Sequence, residues 1–443
     1  MKKWYSLIDK IYRKENLELA FKRVKRNNGA PGIDGETVSD FALALELNIE
    51  FLHERLKTNT YEPSPVRRTE IEKPDGGVRL LGIPTVKDRV IQQAIVNVIE
   101  PIFDVTFHPS SYGYRPNRSQ HQAVAKAERF MNKYGLIHVV DMDLSKCFDT
   151  LDHEIMMKAV SEQISDGRVL DLIKKFLKSG VMNSNNFSKT EVGSPQGGVI
   201  SPLLSNIYLN KFDQKMMSKG IRIVRYADDI LVFAKDKNTA GNYKAYATKI
   251  LEEELKLTVN KEKTKLTSVY DGVGFLGFVI CEKYIVVNPK RIKRFKDKIR
   301  KKTVRGIGRK LEDIIKDLNP VLRGWINYYK IANIKSLTRD LMKWIRRRLR
   351  MIKLRQWKSY KAMHKEMRKQ GIKGNGEKMA VTKWKNSNIH IVHMLLPNLL
   401  YHLFSRIFNN IHIVHMLLPN KLFEDLNLID LTKYKVGLLS NYY

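Results

Sequence analysis

Two adjacent carboxylates, Asp228 and Asp229, lie within Ile223-Val224-Arg225-Tyr226-Ala227-Asp228-Asp229-Ile230-Leu231-Val232-Phe233, between two β-rich apolar runs. That placement predicts the tight turn of a hairpin. Crowding two like charges is costly unless one takes a proton or a cation sits between them, and oxygen ligands select Mg²⁺, with Mn²⁺ able to substitute. Alone, the pair would suit a solvated Asp-Asp turn equally well. A second acidic strand end shifts the balance. In Val139-Val140-Asp141-Met142-Asp143-Leu144-Ser145-Lys146-Cys147-Phe148-Asp149, Asp141 and Asp143 share one face of a strand. If the two strand ends are neighbours, Asp143, Asp228 and Asp229 form a three-carboxylate cluster. Such a cluster could hold two Mg²⁺ ions roughly 3.5–4 Å apart, one activating an attacking hydroxyl and one stabilising a leaving pyrophosphate. Phosphoryl transfer depends on that charge neutralisation and on in-line positioning more than on a covalent protein group.

The elements that must position these acids follow from periodicity. Residues 1–60 read as helices, with Leu17, Ala20, Phe21 and Val24 at three-to-four spacing, broken by the glycine-rich loop Asn27 to Gly35. Residues 66–83 predict a hairpin turning at Pro74-Asp75-Gly76-Gly77, and a long helix follows with Val90, Ile91, Ala94, Ile95, Val98 and Ile99 on one stripe. Strands are expected at 136–143, within 221–234 and at 274–280, and helical patterns at 153–179 and 238–256. Gly193-Ser194-Pro195-Gln196-Gly197-Gly198 leads into a helix from Leu203 to Phe212; its Gly-Gly pair suits either a wall beneath a nucleotide or a plain strand-to-helix turn. Strands alternating with helices predict an α+β or α/β sheet domain, and the nearly all-helical, basic pattern from 288 places a boundary near 285.

Of 443 residues, 80 are Lys or Arg and 46 Asp or Glu, a net charge of +34. Residues 283–385 hold 34 of the cations against seven acids, so most of the excess lies there. The runs are one-sided and mixed with aromatics: Lys290, Arg291, Lys293 and Arg294 before Phe295, then Arg323 and Trp325, then Arg346, Arg347, Arg348 and Arg350 after Trp344. Solvated helix faces would account for ordinary charge runs. One-sided charge interleaved with aromatic planes instead predicts a nucleic-acid surface. Two distant cysteines, Cys147 and Cys281, exclude a disulfide scaffold and a cysteine-built zinc site. No run reaches the roughly 18 apolar residues of a membrane span, and the N-terminus lacks an apolar signal core, so an intracellular protein with no membrane association is expected. Near the C-terminus, Asn388 to Asn398 recurs letter for letter at Asn410 to Asn420. Two copies are too few for a solenoid, and the paired histidines lack a cysteine or carboxylate that would complete a zinc site.

Taken in order, these motifs resemble those of the reverse transcriptase/maturase encoded within bacterial group II introns. Asp141 to Asp149, Ser194 to Gly198 with Ser201 to Asn206, and Tyr226 to Asp229 resemble palm motifs of reverse transcriptases. Asn28 to Gly35 is similar to the family's N-terminal extension loop, Lys73 to Arg79 to its fingers hairpin, Ser111 to Pro116 (with Arg115) to another of its blocks, and Arg323 to Tyr329 to its maturase thumb. The resemblance runs from about residue 15 to 375. It implies a right-hand polymerase of α+β class: an N-terminal extension (1–60), fingers and palm with an antiparallel sheet and packed helices (61–285), an all-helical basic thumb or maturase domain (286–378), and a small DNA-binding tail (379–443). It also implies Asp143, Asp228 and Asp229 as catalytic acids, with Leu144 beside them at the metal site. Phe148 would exclude a 2′-hydroxyl, Gln196 would line the nucleotide site, Lys73 and Arg79 would contact the triphosphate, and Lys263 or Lys265 would protonate pyrophosphate.

The partners so implied are group II intron RNA, a DNA target or primer, and dNTPs, in a bacterial cytoplasm near the nucleoid; homodimerisation is left open. No Cys/His cluster follows the thumb, so the homing endonuclease domain of longer members is expected to be absent. The activities implied are RNA-directed DNA synthesis and splicing assistance with retrohoming. Splicing assistance alone, a reassigned role in defence, CRISPR adaptation or repair, and an unrelated two-metal nuclease are the alternatives.

Overall fold

The computed structural model describes residues 3–442 except 73–75, 184–185, 189–192, 194–196, 305–306, 357–361, 363–364, 366–368 and 370–417. One compact unit takes in residues 1–273 and a second residues 274–441, so the break falls ahead of the 285 expected from composition.

The first unit opens with four helices, α1 (Ile8–Tyr12), α2 (Lys14–Asn27), α3 (Val38–Leu43) and α4 (Leu45–Lys57). The spaced apolar residues Leu17, Ala20, Phe21 and Val24 are buried, as the stripe predicts. A capping box of Thr37 and Asp40 starts α3. The glycine-rich loop between α2 and α3 lies against the start of the long helix α5 (Val86–Asp104): Arg89 donates to the Ala30 carbonyl at 2.9 Å, and a Cβ on Gly32 would lie 2.6 Å from the Thr85 Cα.

Beside that contact Asp88 is buried, accepting from the Tyr61 and Thr85 hydroxyls and the Ser64 amide. Burial outweighs those bonds and pushes its carboxyl up to about 6 from an ordinary 3.8. A carboxyl raised in the folded state holds its proton there while the unfolded chain has lost it, so the stability it confers below pH 4 is lost as pH rises through 6. The expected loss is on the order of 3 kcal/mol. Urea titrations of the parent and Asp88→Asn at pH 4.5 and 7 should show about 2 kcal/mol of this decline in the parent and a flatter profile in the variant.

Strand β1 (Val66–Glu72) pairs antiparallel with β2 (Val78–Ile83), the expected hairpin, and parallel with the short β5 (Val181–Asn183), which pairs with β6 (Asn186–Ser188). A second sheet, wholly antiparallel, has the order β10 (Lys265–Ser268), β3 (His138–Met142), β8 (Asp229–Ala234), β7 (Arg222–Tyr226). The long pattern at 153–179 resolves into α7 (His153–Ser161) and α8 (Gly167–Lys178), because Asp166 at the break caps α8 through one oxygen and accepts the Leu7 and Ile8 amides through the other. Helix α9 (Ser201–Ser218) buries Leu204, Ile207 and Phe212 in the same core as Ile223, Ile230 and Val232 of the sheet. Helices α6 (Gln120–Glu128) and α10 (Lys237–Lys249) pack on this sheet too. The small pair β4 (Leu144–Ser145) and β9 (Thr258–Val259) extends from its acidic end.

In the second unit the single strand expected over 274–280 is two, β11 (Val273–Phe275) and β12 (Phe278–Ile280). Leu276 and Gly277 between them both take positive φ (48° and 83°), which turns the chain back. With β13 (Ile285–Val287) they form a three-stranded sheet, followed by α11 (Pro289–Lys302), α12 (Leu311–Tyr329) and α13 (Lys335–Gln356). After the undescribed stretch, which contains nearly all of the duplicated segment, α14 (Asn420–Asp425) and the residues to 441 pack on these helices, with Phe423 and Leu431 buried. Among the described residues no helix is long and apolar enough to cross a membrane.

Candidate active site

The acidic hairpin forms as its sequence predicts. Strands β7 and β8 pair from Arg222↔Phe233 to Tyr226↔Asp229, leaving Ala227 and Asp228 as the turn. Ala227 takes a left-handed φ of 58°, which a Cβ-bearing residue adopts only when its surroundings compel it. In β3 and β8, Met142 pairs with Ile230. Continuing that register by one residue brings Asp143 level with Asp229, where facing Cβ atoms in a sheet stand about 4.5–5.5 Å apart. The two acidic strand ends are therefore neighbours.

The acids also feel one another. Asp141 is pushed up to about 6, by burial first and then by the charge of Asp143, with Lys265 opposing. The Cys147 thiol is pushed up to about 12 by burial and by Asp228, which leaves it an inert core group. Yet among the described residues no three Asp, Glu, His or Cys side chains converge as a ready metal site, so the closed three-carboxylate cluster is not preformed. The donor set still suits a hard divalent cation, because carboxylates at adjacent strand ends offer oxygen ligands alone. Leu144 follows in β4, opposite Val259; its side chain is buried and has no donor, so only its carbonyl could serve a cation.

Asp143 is fixed through its backbone: its amide donates to the Thr264 hydroxyl at 3.2 Å and its carbonyl accepts from Asn260 at 2.8 Å. Register separates the two candidate lysines. Lys263 Nζ lies 3.9 Å from the Asp143 carboxylate, whereas Lys265 stands opposite Asp141. Phe148 is half-buried in the single turn Cys147–Asp149, entered through Lys146 at a positive φ of 48°. Arg79 stands on β2 opposite Ile71, while Lys73 and Gln196 lie outside the described residues. Gly197, at φ 117°, abuts the Gly82 carbonyl, which a Cβ would meet at 2.2 Å, so its bareness serves a close contact with β2.

Several cations assigned to nucleic acid are spent inside the protein. Arg115 is buried, paired with Asp104 at 2.6 Å and donating to the carbonyls of Asp104, His108 and Ser111. In the second unit Arg346 pairs with Asp430 at 2.5 Å, Arg348 donates to the Thr303 hydroxyl and carbonyl, and Arg350 donates to Leu418 and Asn420 while covering Phe423. Trp325 is buried and stacked on Phe295 at 4.7 Å, a core residue. A guanidinium whose donors are already bonded has little left for phosphate. Lys290, Arg291, Lys293 and Arg294 on α11 and Arg323 on α12 are exposed, and Arg347 is half-buried.

Carboxylates at the adjacent ends of antiparallel strands, backed by helices and flanked by a lysine, are the arrangement of a nucleotidyl-transferring polymerase palm. Residues 71–280 match the reverse transcriptase (RNA-dependent DNA polymerase) family, and residues 292–371 match the group II intron maturase-specific domain. Protein YkfC of Escherichia coli (strain K12) is 35% identical over 290 residues, 57% of this chain and 76% of that protein. The group II intron-encoded protein LtrA of Lactococcus lactis subsp. cremoris is 29% identical over 355 residues, 65% of this chain and 58% of that one. Among solved structures, telomerase from Candida albicans is similar with a TM-score of 0.42 and 12% identity, over 71% of this chain and 63% of that chain. The chain belongs to the reverse transcriptase/maturase family of group II introns. Its reverse transcriptase domain brings with it a need for divalent metal, and its two domains a nucleic-acid partner.

Proposed function

We propose that this chain extends a DNA 3′ end along group II intron RNA with dNTPs and Mg²⁺, and binds that RNA to promote splicing and retrohoming, in a cytoplasm and near the nucleoid. The observation that carries the polymerase reading is the register that sets Asp143 level with Asp229 at the mouth of the acidic hairpin. Asp143, Asp228, Asp229 and the Leu144 carbonyl would hold two Mg²⁺ ions, whose chemistry when bound is Lewis-acid stabilisation of the attacking and leaving oxygens. Lys263, beside the Asp143 carboxylate, would give a proton to the departing pyrophosphate. Phe148 would press on the sugar face and leave no room for a 2′-hydroxyl. Lys73 and Arg79 of the fingers hairpin would grip the triphosphate, and Gln196 would line the site. The exposed cations of α11 with Arg323 favour a second role on RNA phosphates that does not depend on the acids.

Primer extension on an RNA template with dNTPs and Mg²⁺ tests this directly. The full chain should synthesise DNA. A folded chain that binds the RNA yet incorporates nothing would leave splicing assistance alone.

A further inference from the structure

Beneath the acidic turn lies a buried ion pair that the catalytic reading does not use. Arg225 on β7 and Asp213 on α9 are both fully buried. Arg225 Nε and Nη2 fork onto the Asp213 carboxylate at 2.6–2.9 Å. The remaining arm, Nη1, donates to the Asn206 side-chain oxygen at 2.9 Å and to the Ala227 carbonyl at 3.0 Å. Asn206 in turn donates to the Gly113 carbonyl at 2.8 Å, and Gly113 is pressed so close that a Cβ would lie 2.3 Å from the Ala227 amide nitrogen. The 110–113 segment also runs along β7: Arg225 donates its amide to Ser110 and accepts from Tyr112.

These contacts converge on one residue, Ala227, through the peptide units on either side of it. The Ala227 carbonyl belongs to the plane that joins Ala227 to Asp228, and Ala227 itself is strained in the left-handed region. A strained residue keeps its geometry only where neighbours over-determine it. Here the guanidinium holds the carbonyl from one side and Gly113 closes on the amide from the other. A guanidinium suits the task because its fixed fork can satisfy a carboxylate and still aim a third donor elsewhere.

We propose that Arg225, seated on Asp213 and Asn206, is the positioning residue of the acidic turn: by binding the Ala227 carbonyl it fixes the peptide plane from which Asp228 projects toward the metal site. This rests on the assignment of Asp228 and Asp229 as catalytic acids.

The test uses the full chain and two variants, Arg225→Met/Asp213→Leu, which removes the charges together, and Arg225→Lys, which keeps a charge for Asp213 but lacks the fork. Melting temperature, primer-extension kcat and KM for dNTP, and Mn²⁺ affinity by electron paramagnetic resonance are measured for each, with Asp228→Ala/Asp229→Ala as the metal blank. A buried pair exchanged for apolar groups commonly keeps its stability. Expected is a near-parental melting temperature with kcat lowered about 10–100-fold, dNTP KM changed less than about twofold, and weaker Mn²⁺ binding, the scale seen when residues supporting metal ligands are lost. If the double variant does not fold, the lysine variant carries the same expectation. Unchanged kcat and Mn²⁺ affinity in a folded variant overturn the proposal, as does a kcat that merely tracks melting temperature. A parent chain that neither extends a primer nor binds more Mn²⁺ than the blank instead overturns the assignment of the acids, and the proposal with it.

Discussion

Replacing Asp228 and Asp229 together by alanine should lower RNA-templated DNA synthesis by about 10³-fold or more, since loss of metal-borne charge stabilisation is worth several kcal/mol of barrier at 1.36 kcal/mol per decade. Stability should change little. Asp228 is half-exposed and Asp229 exposed, and the backbone pairing of Asp229 with Tyr226 in the β7–β8 ladder is one that alanine retains. Removing two crowded like charges even relieves repulsion. The substitution therefore isolates chemistry from folding. It also separates the two proposed roles: the RNA surface proposed on α11 and Arg323 contains neither acid, so the variant should hold the RNA, and support splicing, as the parent does. Measured side by side, primer extension and splicing should part company. Persistent synthesis by the double variant would remove these acids from the mechanism.

The turn and its acids were legible because local pattern and tertiary structure agree there. The runs on either side of Asp228-Asp229 are rich in β-branched residues and become buried strands, and the acids mark where burial ends. The choice between Lys263 and Lys265 was not legible, since only the pairing of β10 with β3 sets one against Asp143 and the other against Asp141. Charge counts misled over Arg346, Arg348 and Arg350 for a similar reason. Their partners, Asp430, Thr303 and Leu418 with Asn420, lie 45 to 84 residues away and meet them only on folding. Composition gives the sum of charge and says nothing of which cations are already spent. Arg225 left a faint signal, a cation directly after the apolar pair Ile223-Val224 in the buried stretch of β7, with Asp213 a lone acid on a buried helix face. Two opposite charges each stranded in a core-facing position are a pair waiting for a contact, because neither is tolerated there alone.

The buried Arg225–Asp213 pair has a stability consequence separate from catalysis. Asp213→Ala removes the only carboxylate that the described residues place on the Arg225 guanidinium, leaving a buried cation with carbonyl and amide partners alone. Breaking a buried pair from one side typically costs about 3–5 kcal/mol, because the survivor keeps its desolvation penalty and loses its counter-charge. For a unit of this size that corresponds to a melting temperature lower by roughly 6–15 °C. Asp213→Asn keeps an acceptor of the same shape and should cost less, and Arg225→Met/Asp213→Leu should cost least, since no charge is left to solvate. Calorimetry of the three variants should therefore rank Ala below Asn and Asn below the double change. An alanine variant as stable as the parent would mean that water reaches the guanidinium when the carboxylate is gone, and that α9 and β7 are held together by their apolar contacts rather than by this pair.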